Sequence, residues 1–290
     1  MVTLVYKGRQ IGPICRSVAN LSKGKIQAVC DKTLTLGQRL AGTVIRWDSK
    51  LPLMADRDLN RADAVKLSRN KRDSRLALSG VCPTTWTSWL RQRKQFTYPC
   101  IVRARRHHAA QKFHVCHNLR EVEAALKKCG YQKWYISPIV PKDLEYRIFC
   151  FQGRVIKVVR RFHNDPNVVA WNIANGGKSK RLLKESWPIQ ACQAAILAGV
   201  RLKLDWYAAD VIVDKNTSIP YVLELNTAPG LGEDKTFKRL AKVFVWADEN
   251  EKPGTGKGET WQELIHPALL KARKTTGADE QEGENGLDEE

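Results

Sequence analysis

ADVIVDKNTSIPYVLELNTAPG, residues 209–230, reads as two apolar strands joined by a polar turn. With the turn at 215–219, the ladder pairs positions that sum to 434. Asp214 then meets Pro220, and Asp210 meets Glu224. Side chains two apart in a strand face the same way, so Asn226 joins Glu224 on that face. Three oxygen-bearing side chains, two of them anionic, converge inside otherwise apolar strands. A buried carboxylate pair needs a cation, and hard oxygen donors beside a nucleotide's phosphates are how Mg2+ is usually held. Asp210, Glu224 and Asn226 are the candidate metal ligands.

A second hairpin lies upstream. LEYRIFCF (144–151) and RVIKVVRRF (154–162) flank Gln152-Gly153, a dipeptide suited to a two-residue turn. Pairs summing to 305 set Glu145 opposite Arg160, with Arg147 on the same face. Whether Arg160 or Arg161 points inward depends on the register, so both are candidates. Guanidinium groups near a metal site read as clamps on a transferring phosphoryl group.

The remaining chain supplies a scaffold. VTLVY (2–6), KIQAV (25–29) and TVIRW (43–47) read as strands with a helix near 12–22, a small parallel α/β unit. Asn60 is expected to cap one helical run over 62–79, ended by Gly80. From Tyr98 the pattern changes to strands at 98–106, 112–117 and 133–137, with a helix opened by the capping pair Asn118 and Glu121. VVAWNI (168–173) reads as a further strand, followed by helices near 189–198 and 233–247. A Gly/Lys linker (251–260), a last helix (261–274) and a disordered acidic tail (275–290) complete the chain. There is no internal repeat.

Composition narrows the class. At 290 residues, 43% hydrophobic and 27% charged, the chain is neither disordered, collagen-like nor membrane-spanning. The chain begins directly with VTLVY, which predicts no signal peptide, and eight cysteines without a Cys-x-x-Cys pair read as reduced thiols of a cytoplasmic protein. Net charge is +19. Seven acidic and no basic residues fall in 275–290, so residues 1–274 alone carry +26. Such a body favours polyanionic partners: nucleotides, acidic peptides or nucleic acid.

The ordered series Lys71, Arg103, WYIS, EYR, VVRR, WNIANGG, ADVIVD and LELN resembles the ATP-grasp carboxylate–amine ligases, above all phage-encoded members and the glutamate ligases that act on a ribosomal protein. The resemblance covers about residues 1–240. It implies an ATP-grasp fold of mixed α/β and α+β architecture: a pre-ATP-grasp domain over 1–78, a subdomain with the hinge over 79–138, and a C-terminal subdomain over 139–274. It implies transfer of the γ-phosphate of ATP to a carboxylate, with Mg2+ or Mn2+, and displacement of phosphate from the acyl phosphate by an amine. By position, Lys71 and Arg103 would meet ATP, Arg103 at the α-phosphate. Trp134, Tyr135 and Ile136 would form the adenine hinge, Glu145 would hold ribose, and Asn172 would approach the phosphates. Arg147, Arg160 and Arg161 would face the transferring phosphate. The family's phosphate-covering loop is glycine-rich. Here it reads RRHHAAQK (105–112), so His107 and His108, with Arg105 and Lys112, would supply side-chain donors instead.

Other signals carry less. His114, Cys116 and His117 lie on opposite strand faces with no second ligand pair, so zinc is not expected. Trp86 and Trp89 read as core. GTGKGET lacks the phosphate-loop spacing. Two function classes remain. One is an ATP- and magnesium-dependent ligase that joins a carboxylate to an amine, acting on a protein, peptide or amino acid. The other is an ATP-grasp-derived binder of nucleic acid or another polyanion without turnover. Two convergent carboxylates would repel a polyanion without a metal, which favours the ligase.

Overall fold

The computed structural model describes residues 1–104, 113–129, 134–165, 168–171, 176–231 and 234–249. His107, His108, Asn172, the helix expected at 261–274 and the acidic tail lie outside them. The N-terminal unit holds β1 (Val2–Tyr6), α1 (Gly8–Asn20), β2 (Ile26–Cys30), β3 (Arg39–Trp47) and β4 (Met54–Leu59). They form a parallel sheet in the order β2-β1-β3-β4. All five residues of β1 are buried, as a central parallel strand covered on both faces requires. β4, MADRDL, escapes a hydrophobic-pattern reading because it is a charged edge strand. Its Asp56 pairs with Arg39 and its Asp58 with Arg46 of β3.

The run over 62–79 is two helices, α2 (Ala62–Arg69) and α3 (Lys71–Ala77), rather than one. Asn70 makes the break, and its Oδ1 accepts the Asp73 N–H (3.4 Å) to cap α3. Asn60 is no helix cap. It is buried with φ of +56°. Its Oδ1 accepts the N–H groups of Asp205 and Trp206 (both 2.8 Å), and its Nδ2 donates to the carbonyls of Arg46 (3.2 Å) and Trp206 (2.5 Å).

After the short α4 (Trp89–Gln92), an antiparallel sheet forms in the order β6-β5-β7, from β5 (Cys100–Ala104), β6 (Phe113–Cys116) and β7 (Trp134–Pro138), with α5 (Leu119–Cys129) packed on it. The capping pair closes as expected: Asn118 Oδ1 accepts the Glu121 N–H (3.0 Å) and Glu121 Oε2 accepts the His117 N–H (2.8 Å). This unit has its own core around Trp86, Val102, Leu126 and Ile136.

The C-terminal unit is a five-stranded antiparallel sheet ordered β10-β9-β8-β11-β12. It comprises β8 (Lys142–Phe151), β9 (Arg154–Phe162), β10 (Lys178–Arg181), β11 (Trp206–Asp214) and β12 (Pro220–Asn226), flanked by α6 (Ile189–Arg201) and α7 (Asp234–Glu249). The strand expected at 168–173 is absent from its described part, 168–171; the edge strand is Lys178–Arg181 instead. α6 lies close on the sheet through Ala191, Cys192, Ala195, Ala198 and Gly199. A Cβ at Gly199 would fall 2.0 Å from the Tyr207 hydroxyl, so no larger residue fits there. Trp47 of β3 packs against Trp206 (5.1 Å between centroids) and Phe244 of α7 (6.3 Å), joining the N-terminal unit and the five-stranded sheet in one core. Among the described residues, no helix is long and apolar enough to cross a membrane.

Two bulges set the registers. Gln152 (φ +46°) and Gly153 (φ +69°) make the expected tight turn, and next to it the pairs sum to 305. Ile156 is then an extra residue, its carbonyl taken by Arg239 Nη1 of α7 (3.1 Å), and beyond it the pairs sum to 306. Glu145 therefore faces Arg161, and Arg160 faces Tyr146. In the β11–β12 hairpin, Val213 rather than Asp214 meets Pro220, and a bulge at Leu223 restores the sum of 434, so Asp210 does lie opposite Glu224.

Candidate active site

A cavity of about 900 Å3 opens between the two antiparallel sheets and α2–α3 of the N-terminal unit. Its floor is the cluster on β8, β9, β11 and β12. Arg147 grips Asp210 with two prongs, Nε to Oδ1 (2.7 Å) and Nη2 to Oδ2 (2.8 Å). These residues are direct register partners on β8 and β11. Arg161 Nη1 stands 3.2 Å from both Asp210 Oδ2 and Glu145 Oε1. Asn226 Nδ2 reaches Glu224 Oε1 (3.1 Å) and Asp210 Oδ2 (3.5 Å). From α3, Lys71 Nζ meets Glu224 Oε2 at 3.1 Å. Arg103 of β5 lines the opposite wall.

These contacts fix the ionisation. Burial alone would raise the Glu224 carboxyl, but Lys71 and then Arg103, with hydrogen bonds from Lys71 and Asn226, hold it far below the usual carboxylate range. Burial disfavours the charge on Arg147, and Asp210 more than offsets it, so the guanidinium stays charged. Lys142 shifts downward because burial outweighs its partner Glu145. Three carboxylates, Asp210, Glu224 and Glu145, thus stand among five cationic side chains, Arg147, Arg161, Lys71, Lys142 and Arg103.

Of the residues expected to hold a metal, Asp210, Glu224 and Asn226 come together on one face. Two carboxylates and an amide suit a hard divalent cation, with the Asn226 amide turned so that its oxygen points inward. Arg147 and Arg161 meet them. Arg160 does not: the Ile156 bulge turns it to the opposite face, where it is exposed, and it is withdrawn from the candidate set. Trp134, Tyr135 and Ile136 form β7 but do not line the cavity. Ile136 exchanges both backbone hydrogen bonds with Trp86 (2.9 and 2.8 Å), so its edge is already paired. The cavity is lined instead by the following residues, Ser137 to Val140. His107, His108 and Asn172 lie outside the described residues.

Sequence reasoning missed Lys142. It pairs with Glu145 and stands 4.3 Å over the Trp171 ring. Three residues apart in a regular strand, the two side chains would face opposite ways, but the ladder is irregular at Val213/Asp214, opposite Lys142–Leu144. The Arg69–Asp48 ion pair, tied to Thr227 through Asp48 (3.2 Å), was missed too, because its members lie far apart in sequence.

No protein-family profile and no curated protein sequence matches the chain. Its likeness to solved structures is clear in three dimensions. The ATP-grasp ligase PsnB complexed with a minimal precursor shares 11% identity at a TM-score of 0.61, over 84% of this chain and 98% of that one. D-alanine–D-alanine ligase from Bacillus anthracis shares 15% at 0.57, over 95% and 99%. The macrocyclase MdnC of Microcystis aeruginosa MRC, bound with precursor peptide MdnA, shares 13% at 0.56, over 84% and 99%. At such identities the likeness speaks for the fold alone. The chain has the ATP-grasp fold, preceded by a small parallel α/β domain.

Proposed function

We propose that the chain is an ATP- and magnesium-dependent ligase that joins a carboxylate to an amine through an acyl phosphate. The observation that carries this reading is the convergence of Asp210, Glu224 and Asn226 with Arg147, Arg161, Lys71 and Arg103 around one cavity between the two sheets. Mg2+ or Mn2+, held by Asp210, Glu224 and Asn226, would neutralise phosphate charge. Arg103 and Lys71 would bind the phosphate chain of ATP from the opposite wall. Glu145, fixed by Lys142 and Arg161, would accept ribose hydroxyls. A substrate carboxylate oxygen attacks the γ-phosphorus and ADP leaves. The amine then attacks the acyl carbon and phosphate leaves. Arg147 and Arg161 stand where charge develops in both steps.

The wall contributed by the N-terminal unit is basic, with Lys7, Lys50 and Lys66 on the cavity, which favours an acidic protein, peptide or amino acid as the carboxylate substrate. The solved PsnB structure holds a minimal precursor and the MdnC structure a precursor peptide, and a peptide substrate would fit here. The test is a phosphate-release assay with ATP, Mg2+ and libraries of acidic peptides and amino acids, in wild type and in Glu224→Ala/Asn226→Ala. Acceptor-dependent release that the double variant abolishes supports the reading. Release indifferent to the double variant defeats it.

A further inference from the structure

We infer that Arg75 is an oxyanion-binding residue, delivered to the cavity by α3 of the N-terminal unit. It adds a residue to the proposed ligase site and rests on that reading only for the identity of the anion. Arg75 is 3% exposed and lines the cavity. Its Nε and Nη1 are buried and without a hydrogen-bond partner among the described residues. The guanidinium carbon stands 5.3 Å over the ring of Tyr135, itself 1% exposed. Its backbone carbonyl accepts the Cys82 thiol (3.2 Å), which ties the turn of helix in place.

Three other arginines withdrawn from solvent have anions or carbonyls. Arg46 has Asp58 and the Leu51 carbonyl, Arg147 has Asp210, and Arg161 has Glu145 and Asp210. A guanidinium taken out of water with two of its nitrogens unmatched is costly, and stacking on one ring offsets only part of that cost. The missing partner is therefore one that the ligand brings. Placement narrows its chemistry. Arg75 lies one helical turn beyond Lys71, which contacts Glu224, and Tyr135 beneath it is the register partner of Arg103. Lys71, Arg75 and Arg103 thus form a cationic strip along the cavity that meets the carboxylate cluster at Lys71. A planar fork in that strip suits an oxyanion, either a nucleotide phosphate or a substrate carboxylate.

The experiment measures affinities of the full chain for Mg-ADP, adenosine, pyrophosphate and glutarate, with melting temperatures, in wild type, Arg75→Met and Arg75→Lys. Arg75→Met is expected to lose about tenfold or more for an anion and nothing for adenosine. It should melt at or above wild type without ligand, because an unmatched buried charge has gone. Loss confined to Mg-ADP and pyrophosphate assigns the phosphate, and loss confined to glutarate assigns the carboxylate. Arg75→Lys, which keeps the charge but not the fork, should fall between, and it carries the test if Arg75→Met does not fold. The inference is overturned if all affinities stay within about twofold of wild type, if wild type binds neither pyrophosphate nor glutarate, or if both variants unfold. Binding of pyrophosphate or glutarate but not of Mg-ADP by wild type would defeat the ligase reading and leave Arg75 judged by the remaining anion.

Discussion

Glu224 is held ionised by neighbours from two other elements, Lys71 of α3 and Arg103 of β5, against a burial that alone would protonate it. A carboxyl depressed in the folded state adds stability that is present above its ordinary pKa of about 4.3. That stability is lost only as pH falls through the depressed folded value. Glu224 should therefore keep its charge well into acid. Lys71→Met removes the largest cationic influence, so the acid loss of the Mg-ATP-dependent thermal shift should begin at a higher pH than in wild type. A pH series of melting curves checks this, and coincident acid limbs would show that Lys71 does not set the ionisation. Arg147 is the second case. Its two prongs occupy both oxygens of Asp210, so its remaining N–H groups and its charge act from a fixed position. Arg147→Ala should lower kcat by roughly 10²–10³-fold with little change in KM for ATP. Arg147→Lys should recover little, because an ammonium cannot grip both oxygens. Initial rates over a range of ATP concentrations separate the two parameters, and a rise in KM alone would make Arg147 a ground-state binder.

At the scale of elements, the hairpins show what strand alternation carries and what it does not. The period of two put Asp210, Glu224 and Asn226 on one face from sequence alone, because the bulge at Leu223 leaves the register near them at its simple value. In the β8–β9 hairpin the bulge at Ile156 shifts every pair beyond it by one. Nothing in RVIKVVRRF announces this, and the bulged carbonyl is held by Arg239, over eighty residues away. The consequence is testable. Arg161→Ala should cost roughly 10²–10³-fold in turnover, as loss of a donor aimed at developing charge does. Arg160→Ala, on the exposed face, should leave turnover near wild type. Equal losses for the two would mean that the register is wrong. The break between α2 and α3 belongs to the same lesson. The helical run was legible, but the Asn70 cap that divides it, and so aims Lys71 and Arg75 at the cavity, was not. Asn70→Ala should lower stability by about 1 kcal/mol, readable in denaturant melts, and should weaken Mg-ATP binding through the displaced Lys71.

Across the whole molecule, the sequence suggested a chain of separate units, whereas the core runs through the first and last of them. Trp47, Trp206 and Phe244 join β3, β11 and α7, and Asn60 bonds Arg46 on one side and Asp205 and Trp206 on the other. Isolated tryptophans in unrelated strands give no sign of this, since their meeting depends on tertiary packing alone. The three-stranded sheet and α5, with a core of their own, sit across the cavity from that joined body. Charge is the remaining property of the whole chain, and it was legible from composition. Residues 275–290 bring seven acids against a body of +26, and the buried residues of both cores end at Ala247 among those described. Removing 275–290 should therefore leave the melting temperature unchanged. It should also strengthen binding to polyanions and steepen its salt dependence, because more counterions are released when an unscreened basic surface neutralises phosphates. Fluorescence titrations of the full and truncated chains with a single-stranded oligonucleotide, repeated from low to physiological salt, read both effects. Identical affinities and slopes for the two chains would show that the acidic segment does not screen the basic surface.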